Sequence, residues 1–477
     1  MPHSTTASFD TSRWDAFLTE TARRHHVPGI VAGVLSIDPA TGGQKRFVSS
    51  TGVTNTRTGV ESNKDTLCQV GSITKVVTAT MIMQLRQEGR LQLDTRVTDI
   101  LPDFGLASSH GSEITVWNLL THTSGIDGDL FTDTGRGDDC IATYIETLTE
   151  AESLFAPKSG WSYCNSGFVV AGRIIEVLDG RTWDASLKER ISKPLGLDKF
   201  FTLPEEILAH RHQYGHVRHP GQKDWNPAPV SGITRSMGAA GVITSSVDDL
   251  LDFGAAFLRE GDTGSGEKLL SPESITTMTE PQWTLDKAVG GAMAPHWGIG
   301  WMLDDWNGHK VQWHGGTTIG NKAWFQVLPD DGLVFVVFCN GGVAPHAAHD
   351  IYSAFAQEFA GVLPSAEPRP TGPASQAIVE DSWLGTYSDA GTSLEVVKND
   401  DATYLATISQ ASLERRLGKK PSEPTALPLL PTEAPNRFVT RPEPLEPWST
   451  VSFTEVGGRP VAYVGIRCLP RRDVATS

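Results

Sequence analysis

The chain has 477 residues, of which 39% are hydrophobic and 20% are charged, and its formal net charge is -16. A chain of this length is too long for one ordinary hydrophobic core, so we expect two globular domains. The acidic balance argues against nucleic-acid binding, which needs a basic surface. No apolar run approaches the roughly 20 residues of a membrane-spanning helix. The sequence therefore favours a small-molecule partner over nucleic acid or membrane, and it leaves the oligomeric state open.

The cysteines and the N-terminal residues both indicate in which cellular compartment the protein is expected. The five cysteines form no Cys-x-x-Cys pair, and their number is odd: Cys68, Cys140, Cys164, Cys339 and Cys468. This usage fits reduced thiols better than a disulfide framework. Residues 1–17 lack a basic segment followed by an apolar one, so no signal peptide is predicted. We expect a cytoplasmic protein, which argues against a cell-wall enzyme that would need export.

The first 90 residues predict a helix, a hairpin and a second helix. The pattern of residues 10–25 is that of an amphipathic helix, and residues 27–36 and 47–52 are typical of paired strands. A second helix follows Ser72-Ile-Thr-Lys75, where apolar side chains recur at helical spacing up to Leu85. Gly89 stands where a glycine commonly ends a helix.

The middle of the chain combines helices with a group of strands. Residues 91–258 are predicted to be mainly helical and rich in loops, with a helix over 166–178. Ser245-Ser-Val-Asp248 resembles a capping box before an apolar run. Residues 297–303, 311–313, 323–328 and 333–338 are then predicted as successive strands. This order predicts an α+β fold, in which helices flank an antiparallel sheet beside a mainly helical subdomain.

The C-terminal part predicts a small β domain after a linker. Residues 364–376 are rich in Pro, Ser and Ala, which is typical of a linker. Beyond them, residues 383–387, 394–397, 404–408, 451–453 and 461–466 have the pattern of short strands. The proline-dense residues 421–447 are expected to be irregular. We therefore divide the chain into residues 1–363, 364–376 and 377–477, and expect the last domain to affect substrate range more than acylation.

Ser72 and Lys75 suggest a specific chemistry. Residues three apart on a helix share a face, so the Lys75 amine is predicted to lie beside the Ser72 hydroxyl. A serine hydroxyl is a weak nucleophile unless a neighbouring base takes its proton. Lysine can be that base only where burial or nearby charge lowers its pKa. The free N–H groups of a first helical turn would also favour a developing anion.

Three more motifs follow in a fixed order. They are Leu119-Leu-Thr-His-Thr-Ser-Gly-Ile126, the Tyr163-x-Asn165 of residues 161–165, and Trp313-His-Gly-Gly-Thr317. With Ser72-x-x-Lys75 and Ala240-Gly-Val-Ile-Thr-Ser-Ser246, the set resembles the serine β-lactamase and penicillin-binding-protein superfamily. The likeness is greatest to class C β-lactamases, family VIII esterases, D-aminopeptidases and their transacylase relatives. It covers about residues 10–363, and the C-terminal part resembles the lipocalin-like domains of some members.

The resemblance implies a role for each motif residue. Ser72 would be the acylated nucleophile and Lys75 its proton partner, while Tyr163 would carry the proton to the leaving group and activate the deacylating nucleophile. A phenol normally titrates near ~10, so a Tyr163 phenolate would need a nearby cation such as Lys75. Asn165 would hold Lys75 and a substrate carbonyl. The backbone N–H groups of Ser72 and Thr317 would form an oxyanion hole, in which one donor is worth roughly 3–4 kcal/mol.

The third motif departs from that of the β-lactamases, which carry Lys-Thr-Gly where this chain has His314-Gly315-Gly316. An unperturbed histidine is mostly neutral near pH ~7, and Gly315 supplies no hydroxyl. This difference argues against efficient β-lactam hydrolysis and is similar to esterase-like and aminopeptidase-like members. His314 and Gly316 are expected to bind substrate, since the glycines would let the strand edge approach an acyl group.

Several polar residues also have simpler interpretations. Asn165 could cap the following helix, and His122 and Ser124 are expected to shape a turn. No zinc spacing is present among the clustered histidines, which we expect on an exposed loop without a metal: His210, His212, His216 and His219. No cofactor motif is present either.

The sequence thus predicts a serine acyl hydrolase or transacylase that forms an acyl-Ser72 enzyme from a small ester or amide. One alternative is a β-lactamase or a D-amino acid peptidase. Another is a catalytically silent binding protein of the same fold, because a fold alone does not fix a function.

Overall fold

The structure is a computed structural model that describes residues 11–38, 40–218, 222, 224–285, 293–416, 421, 423–444 and 446–472. Within these ranges the α-helices are α1 (Thr11–Arg24), α2 (Thr74–Gln87), α3 (Val97–Ile100), α4 (Val116–Leu120), α5 (Cys140–Thr147), α6 (Asn165–Asp179), α7 (Trp183–Leu187), α8 (Lys193–Leu195), α9 (Gly238–Gly241), α10 (Val247–Leu258), α11 (Pro272–Thr279), α12 (Ala344–Phe359) and α13 (Ala411–Arg416).

The strands of the same ranges are β1 (Gly29–Ile37), β2 (Gln44–Gly52), β3 (Cys68–Gln69), β4 (Phe200–Phe201), β5 (His216–Val217), β6 (Asn226–Pro227), β7 (Thr244–Ser245), β8 (Trp283–Thr284), β9 (His296–Trp297), β10 (Met302–Trp306), β11 (His309–Thr317), β12 (Lys322–Leu328), β13 (Leu333–Cys339), β14 (Gly385–Ser388), β15 (Ser393–Lys398), β16 (Tyr404–Ser409), β17 (Ala426–Pro428), β18 (Leu430–Pro431), β19 (Arg437–Thr440), β20 (Ser449–Val456), β21 (Arg459–Val464) and β22 (Arg467–Arg472). Short 3₁₀ turns include Gly71–Ile73, immediately before α2.

An eight-stranded antiparallel sheet forms the centre of the first part of the chain, in the order β2-β1-β13-β12-β11-β10-β9-β8. The predicted N-terminal hairpin is confirmed, since Gly29 pairs with Gly52 along β1 and β2. Strand β1 also pairs with β13, where Ile30 lies opposite Cys339. The N-terminal hairpin is therefore tied to a strand that comes about 300 residues later.

Helices cover both faces of this sheet. Because successive side chains of a strand point to opposite faces, Ile30 and Val34 pack with α1 and α12. Val31 and Leu35 instead join the core that includes α10 and the helical region from α2 to α9. The α+β fold of antiparallel sheet, flanking helices and helical subdomain is the predicted one. No helix in the described ranges has the length and apolarity that a membrane crossing requires.

The strand that carries His314 is longer than predicted. Residues 314–317 were expected to lie between strands, but β11 runs through them and pairs with β12, with Gly316 opposite Ala323. The predicted strand over 297–303 is in turn interrupted, since β9 ends at Trp297 and β10 begins at Met302. Gly300, with φ of +77°, makes the turn between them, a conformation that glycine adopts without strain.

A second antiparallel sheet, of nine strands, forms the C-terminal part in the order β17-β16-β15-β14-β22-β21-β20-β19-β18. Its two edge strands are separated in the chain by Leu429 alone, so the sheet curls into a nearly closed barrel. The prediction that residues 421–447 are irregular was wrong, because they contain β17, β18 and β19. Pro428 and Pro431 lie on edge strands, where a missing N–H is tolerated. The domain limits at 364–376 stay a prediction.

Candidate active site

Ser72 and Lys75 lie side by side where the 3₁₀ turn Gly71–Ile73 runs into α2. The Lys75 Nζ lies 3.1 Å from the Ser72 Oγ. The same amine donates hydrogen bonds of 2.7 Å to the Asn165 Oδ1 and of 2.7 Å to the Ala240 carbonyl oxygen. The Lys75 side chain is fully buried. The predicted juxtaposition of hydroxyl and amine is therefore present in the structure.

The simpler interpretation of Asn165 as a helix cap is wrong. The cap of α6 is Cys164, whose sulfur accepts a hydrogen bond from the Gly167 N–H. Asn165 is the first helical residue, and its Nδ2 donates to the Asp129 Oδ1 at 2.8 Å. Its amide thus has the oxygen on Lys75 and the nitrogen on a buried carboxylate. Both ends of the Asn165 side chain are oriented by charged or titratable neighbours.

The partner of Asp129 comes from the C-terminal sheet. The Arg467 Nε and Nη2 donate to the two carboxylate oxygens of Asp129, at 2.6 Å and 3.0 Å. Such a two-pronged pair fixes both groups in one plane. The remaining terminal nitrogen of Arg467, Nη1, is buried without a hydrogen-bond partner among the described residues. The chain from Lys75 through Asn165 and Asp129 therefore ends at a strand of the second sheet.

The Tyr163 ring packs against both Lys75 and Arg467. The Lys75 Nζ lies 5.0 Å from the centre of the Tyr163 ring, and the Arg467 Cζ lies 4.6 Å from it. Burial raises the pKa of the phenol above its ordinary value, while Ser72 and Arg467 act in the opposite direction. The hydroxyl has no hydrogen bond of ordinary geometry within the described ranges. These surroundings favour the neutral phenol, because the nearby cations do not offset the effect of burial on its pKa.

His122 packs against Tyr163 and is hydrogen-bonded to the backbone of the same segment. Its ring centre lies 4.3 Å from that of Tyr163, and its Nδ1 accepts a hydrogen bond of 3.0 Å from the Cys164 N–H. The predicted turn is present, with φ of +59° at His122 and +74° at Gly125. Burial lowers the pKa of His122 well below its usual value. A neutral His122 therefore fixes the backbone that carries both Tyr163 and Asn165.

His314 is buried beside this group, with its Nδ1–H donating to the Gly315 carbonyl at 2.6 Å. Burial lowers the pKa of His314 to about 3, and a positive charge on Lys75 acts in the same direction. The imidazole is consequently neutral at physiological pH, and its Nε2 is left as an acceptor. The sequence predicted a mostly neutral histidine, and the structure adds the cause.

Gly316 of this strand and Gly71 of the Ser72 turn make a close backbone contact, and the predicted approach of the strand edge to an acyl group stays a prediction. A side-chain carbon on Gly316 would come within 1.8 Å of the Val70 carbonyl oxygen, and one on Gly71 within 2.6 Å of the Thr317 nitrogen. Strand β11 is therefore pressed against the turn that carries Ser72. This contact brings the backbones of Ser72 and Thr317, the two predicted oxyanion-hole donors, into one neighbourhood.

A cavity of about 620 Å³ is lined by Ser72, Tyr163, Asn165, His314 and the 315–317 backbone. Aromatic side chains, among them Trp306, Trp313 and Trp324, line another part of it, and residues 364–367 of the predicted linker complete that wall. Ile466 and Arg467 also line the cavity. Its walls are thus drawn from both sheets and from the segment between them.

Sequence reasoning missed Asp129 and Arg467. Asp129 follows the 119–126 motif in an Asp-Gly-Asp segment, and this proximity was a signal that could have directed attention to it. Arg467 offered no comparable signal, because 338 residues separate it from Asp129. Only the packing of the second sheet brings it to the site.

The clustered histidines do not form a metal centre in the described ranges, where no group of three potential ligands is arranged around a common point. His216 is buried, not on the exposed loop that was predicted, and its ring bonds the Asn340 carbonyl and the Thr56 N–H. A strand position in β5 explains the difference. His210 and His212 are partly exposed, and His219 lies outside the described residues.

The comparisons with known proteins agree with this geometry. The family model named Beta-lactamase matches residues 14–358. The chain is 38% identical to "Penicillin-binding protein 4" of Amycolatopsis lactamdurans, over 80% of this chain and 99% of that one. It therefore belongs to the β-lactamase and penicillin-binding-protein family of serine hydrolases.

Two further likenesses extend over more of the chain. A "D-aminopeptidase" of Brucella anthropi is 23% identical, over 83% of this chain and 70% of that protein. The crystal structure of SurE superposes with a TM-score of 0.73 at 23% identity, covering 97% of this chain and 99% of the other. At this identity the structural likeness supports the fold, including the C-terminal sheet.

The close contact of β11 with the Ser72 turn predicts different effects for neighbouring glycines. Gly316→Ala should lower the free energy of unfolding by about 1–3 kcal/mol, because the added carbon meets a backbone carbonyl. Gly315→Ala is the matched control, since its added carbon would have no neighbour nearer than 3.7 Å. Chemical denaturation of both variants measures the difference. Equal stability of the two would show that the contact is not needed.

Proposed function

We propose that this chain is a serine acyl hydrolase or acyltransferase that forms an acyl-enzyme on Ser72 from a small ester or amide. The observation that carries the proposal is the hydrogen-bond geometry of Lys75. A neutral amine has two N–H groups and one lone pair. Asn165 and the Ala240 carbonyl accept both N–H groups, so the lone pair remains for the Ser72 hydroxyl at 3.1 Å.

The electrostatics of the site support a neutral Lys75. Its pKa lies well below the usual value for lysine, first because the amine is buried and then because Arg467 adds a nearby positive charge. Free lysine titrates near ~10.4 and would be almost wholly protonated at neutral pH. A buried lysine with a lowered pKa can instead act as the base that activates a nucleophile.

The proposed reaction then follows from these positions. Lys75 takes the Ser72 proton as the Oγ attacks the substrate carbonyl carbon, and the carbonyl electron pair moves to its oxygen. The Oγ–C bond forms first. The electron pair then returns from the oxyanion to re-form the carbonyl, and the bond to the leaving group breaks with its electrons going to the leaving group, which receives the proton through Lys75 and the neutral Tyr163. The backbone N–H groups of Ser72 and Thr317 are the proposed donors to the oxyanion, which such a hole stabilises.

The cavity restricts the identity of the acyl group and of the acceptor less than the catalytic residues restrict the type of reaction. The aromatic wall of the cavity fits an apolar acyl group. Water would make the enzyme an esterase or amidase, and an amine or alcohol would make it an acyltransferase. A role as a β-lactamase has less support, because His314 is neutral and Gly315 has no side chain to bind a carboxylate.

We expect Ser72 to gain the mass of the acyl group during reaction with an activated ester or a D-amino acid amide. Intact-protein mass spectrometry would detect the adduct, and Ser72→Ala should lack it while keeping the same circular dichroism spectrum. A penicillin is the third reagent, and fast turnover of it would favour the β-lactamase alternative. An adduct retained in Ser72→Ala would refute the assignment. No adduct with any reagent would favour a silent binding protein.

The acylation rate should decrease as the pH is lowered, through one ionisation below pH 10.5. The sign follows from the lowered pKa of Lys75: below it the amine is protonated and has no lone pair for Ser72. Lys75→Arg should abolish acylation, since a guanidinium stays charged. Stopped-flow release of p-nitrophenol from an acetate ester measures the profile.

His314→Gln is the control for that profile. His314 is neutral throughout the range because its pKa is about 3, so the variant should keep the acid limb of the profile where it is. If the acid limb disappeared in His314→Gln but remained in Lys75→Arg, the base would be His314, and the assignment of Lys75 would be wrong.

A further inference from the structure

The second sheet contributes a turn to the wall of the active site. Strands β21 and β22 are joined through Gly465 and Ile466, and Gly465 has φ of +60°. The Tyr163 N–H donates to the Ile466 carbonyl at 3.0 Å, and the Cys468 N–H donates to the Ser162 Oγ at 3.1 Å. The turn is therefore bonded on both sides to the segment that carries Tyr163.

Aromatic packing supports the same contact. The Tyr463 hydroxyl donates to the Trp161 carbonyl at 2.7 Å. Buried side chains of both sheets form one apolar cluster there, which includes Trp161, Tyr163, Trp297 and Tyr463. A contact that is buried and hydrogen-bonded in this way holds its parts in one arrangement. Arg467 is consequently presented to Asp129 from a rigid element.

We propose that the ion pair of Arg467 and Asp129 positions Asn165 and Lys75 for the acylation of Ser72, so that the C-terminal sheet is part of the acylation machinery. The inference rests on the function proposed above. It differs from the expectation that this sheet alters substrate range more than acylation. Arg467 acts through Asp129 and Asn165, and is a positioning residue.

The geometry gives the first reason. Asp129 has its oxygens on Arg467 and on the Asn165 Nδ2, and its side chain is 4% exposed. A carboxylate buried to this degree is costly without its cation. Loss of Arg467 would leave that charge uncompensated next to Asn165, whose other end holds Lys75. The amide that orients the base would then lose its fixed support.

Charge gives the second reason. Arg467 disfavours the protonated form of Lys75, whereas Asp129 favours it, and the two effects oppose each other. The other titratable side chains that surround the amine come from the 163–165 segment, the 119–126 turn and β11: Tyr163, Cys164, His122 and His314. Burial keeps each of these four neutral. Arg467 and Asp129 therefore remain as the charged pair that acts on Lys75.

The test measures Ser72 acylation in the full chain between pH 5 and pH 10. The neutral probe is p-nitrophenyl acetate, and the charged probe is its succinate analogue with a free carboxylate. Arg467→Ala should move the acid limb to higher pH by about one unit, since a cation near Lys75 is lost. Asp129→Asn keeps an oxygen for Asn165 but removes the charge, and should move the limb to lower pH. Opposite shifts are not expected from a general loss of structure.

Rates and conservative variants complete the design. Arg467→Ala should also slow acylation by the neutral ester about tenfold or more on the high-pH plateau, because the base is less well oriented. Arg467→Lys retains the charge and should keep the limb within about half a unit of wild type. Arg471→Ala is the matched control, since that arginine of β22 donates hydrogen bonds to the Ser382 and Leu384 carbonyls, in the segment just before β14. It should leave the profile unchanged.

Several results would overturn the inference. Shifts of the same sign in Arg467→Ala and Asp129→Asn, or no shift in either, would remove the electrostatic role. A defect of Arg467→Ala confined to the succinate ester would mean that its free Nη1 binds substrate and that positioning is not its role. If Arg467→Ala does not fold, the inference is tested by the other two variants: it requires a shift of the limb to lower pH in Asp129→Asn and an unshifted limb in Arg467→Lys. A wild-type protein that forms no Ser72 adduct would refute the proposed function as well, whereas unshifted variants of an acylating enzyme refute the inference alone.

Discussion

The Lys75 amine has no contact with solvent, and the water molecules that would surround it on a surface are replaced by Asn165 and the Ala240 carbonyl. Burial of a charged ammonium is unfavourable, so the neutral amine is the form that this environment stabilises. The residues that bury Lys75 also fix its direction. The position of Asn165 and the distance to Ser72 both follow from this one constraint.

The same burial explains why the site draws on distant parts of the chain. An amine at the start of a helix is covered from one side by the α6 segment and from another by α9, which supplies the Ala240 carbonyl. The turn between β21 and β22 contacts the Tyr163 segment and lines the cavity beside it. A site of this kind depends on the relative placement of two sheets, and its electrostatics change if either one moves.

Much of the fold could be predicted, because local patterns and chain order agree with it. The N-terminal hairpin, the α2 helix with Gly89 at its end, and the strands β12 and β13 have periodicities that only one structure satisfies. The predictions of secondary structure were wrong where a tertiary contact overrides the local sequence pattern. The strand over 297–303 is interrupted because Gly300 turns the chain, and β11 continues through two glycines because β12 pairs with it. The prolines of β17 and β18 are tolerated because those strands are edges.

The sequence by itself determined which residues stand three apart at the start of α2 and which motifs follow in which order, since these are properties of spacing. It thereby determined the pairing of Ser72 with Lys75. Only the tertiary structure lowers the pKa of Lys75 and raises that of Tyr163, because a pKa depends on burial. Only the structure brought Arg467 to Asp129, because 338 residues separate them and no local pattern encodes the docking of the second sheet.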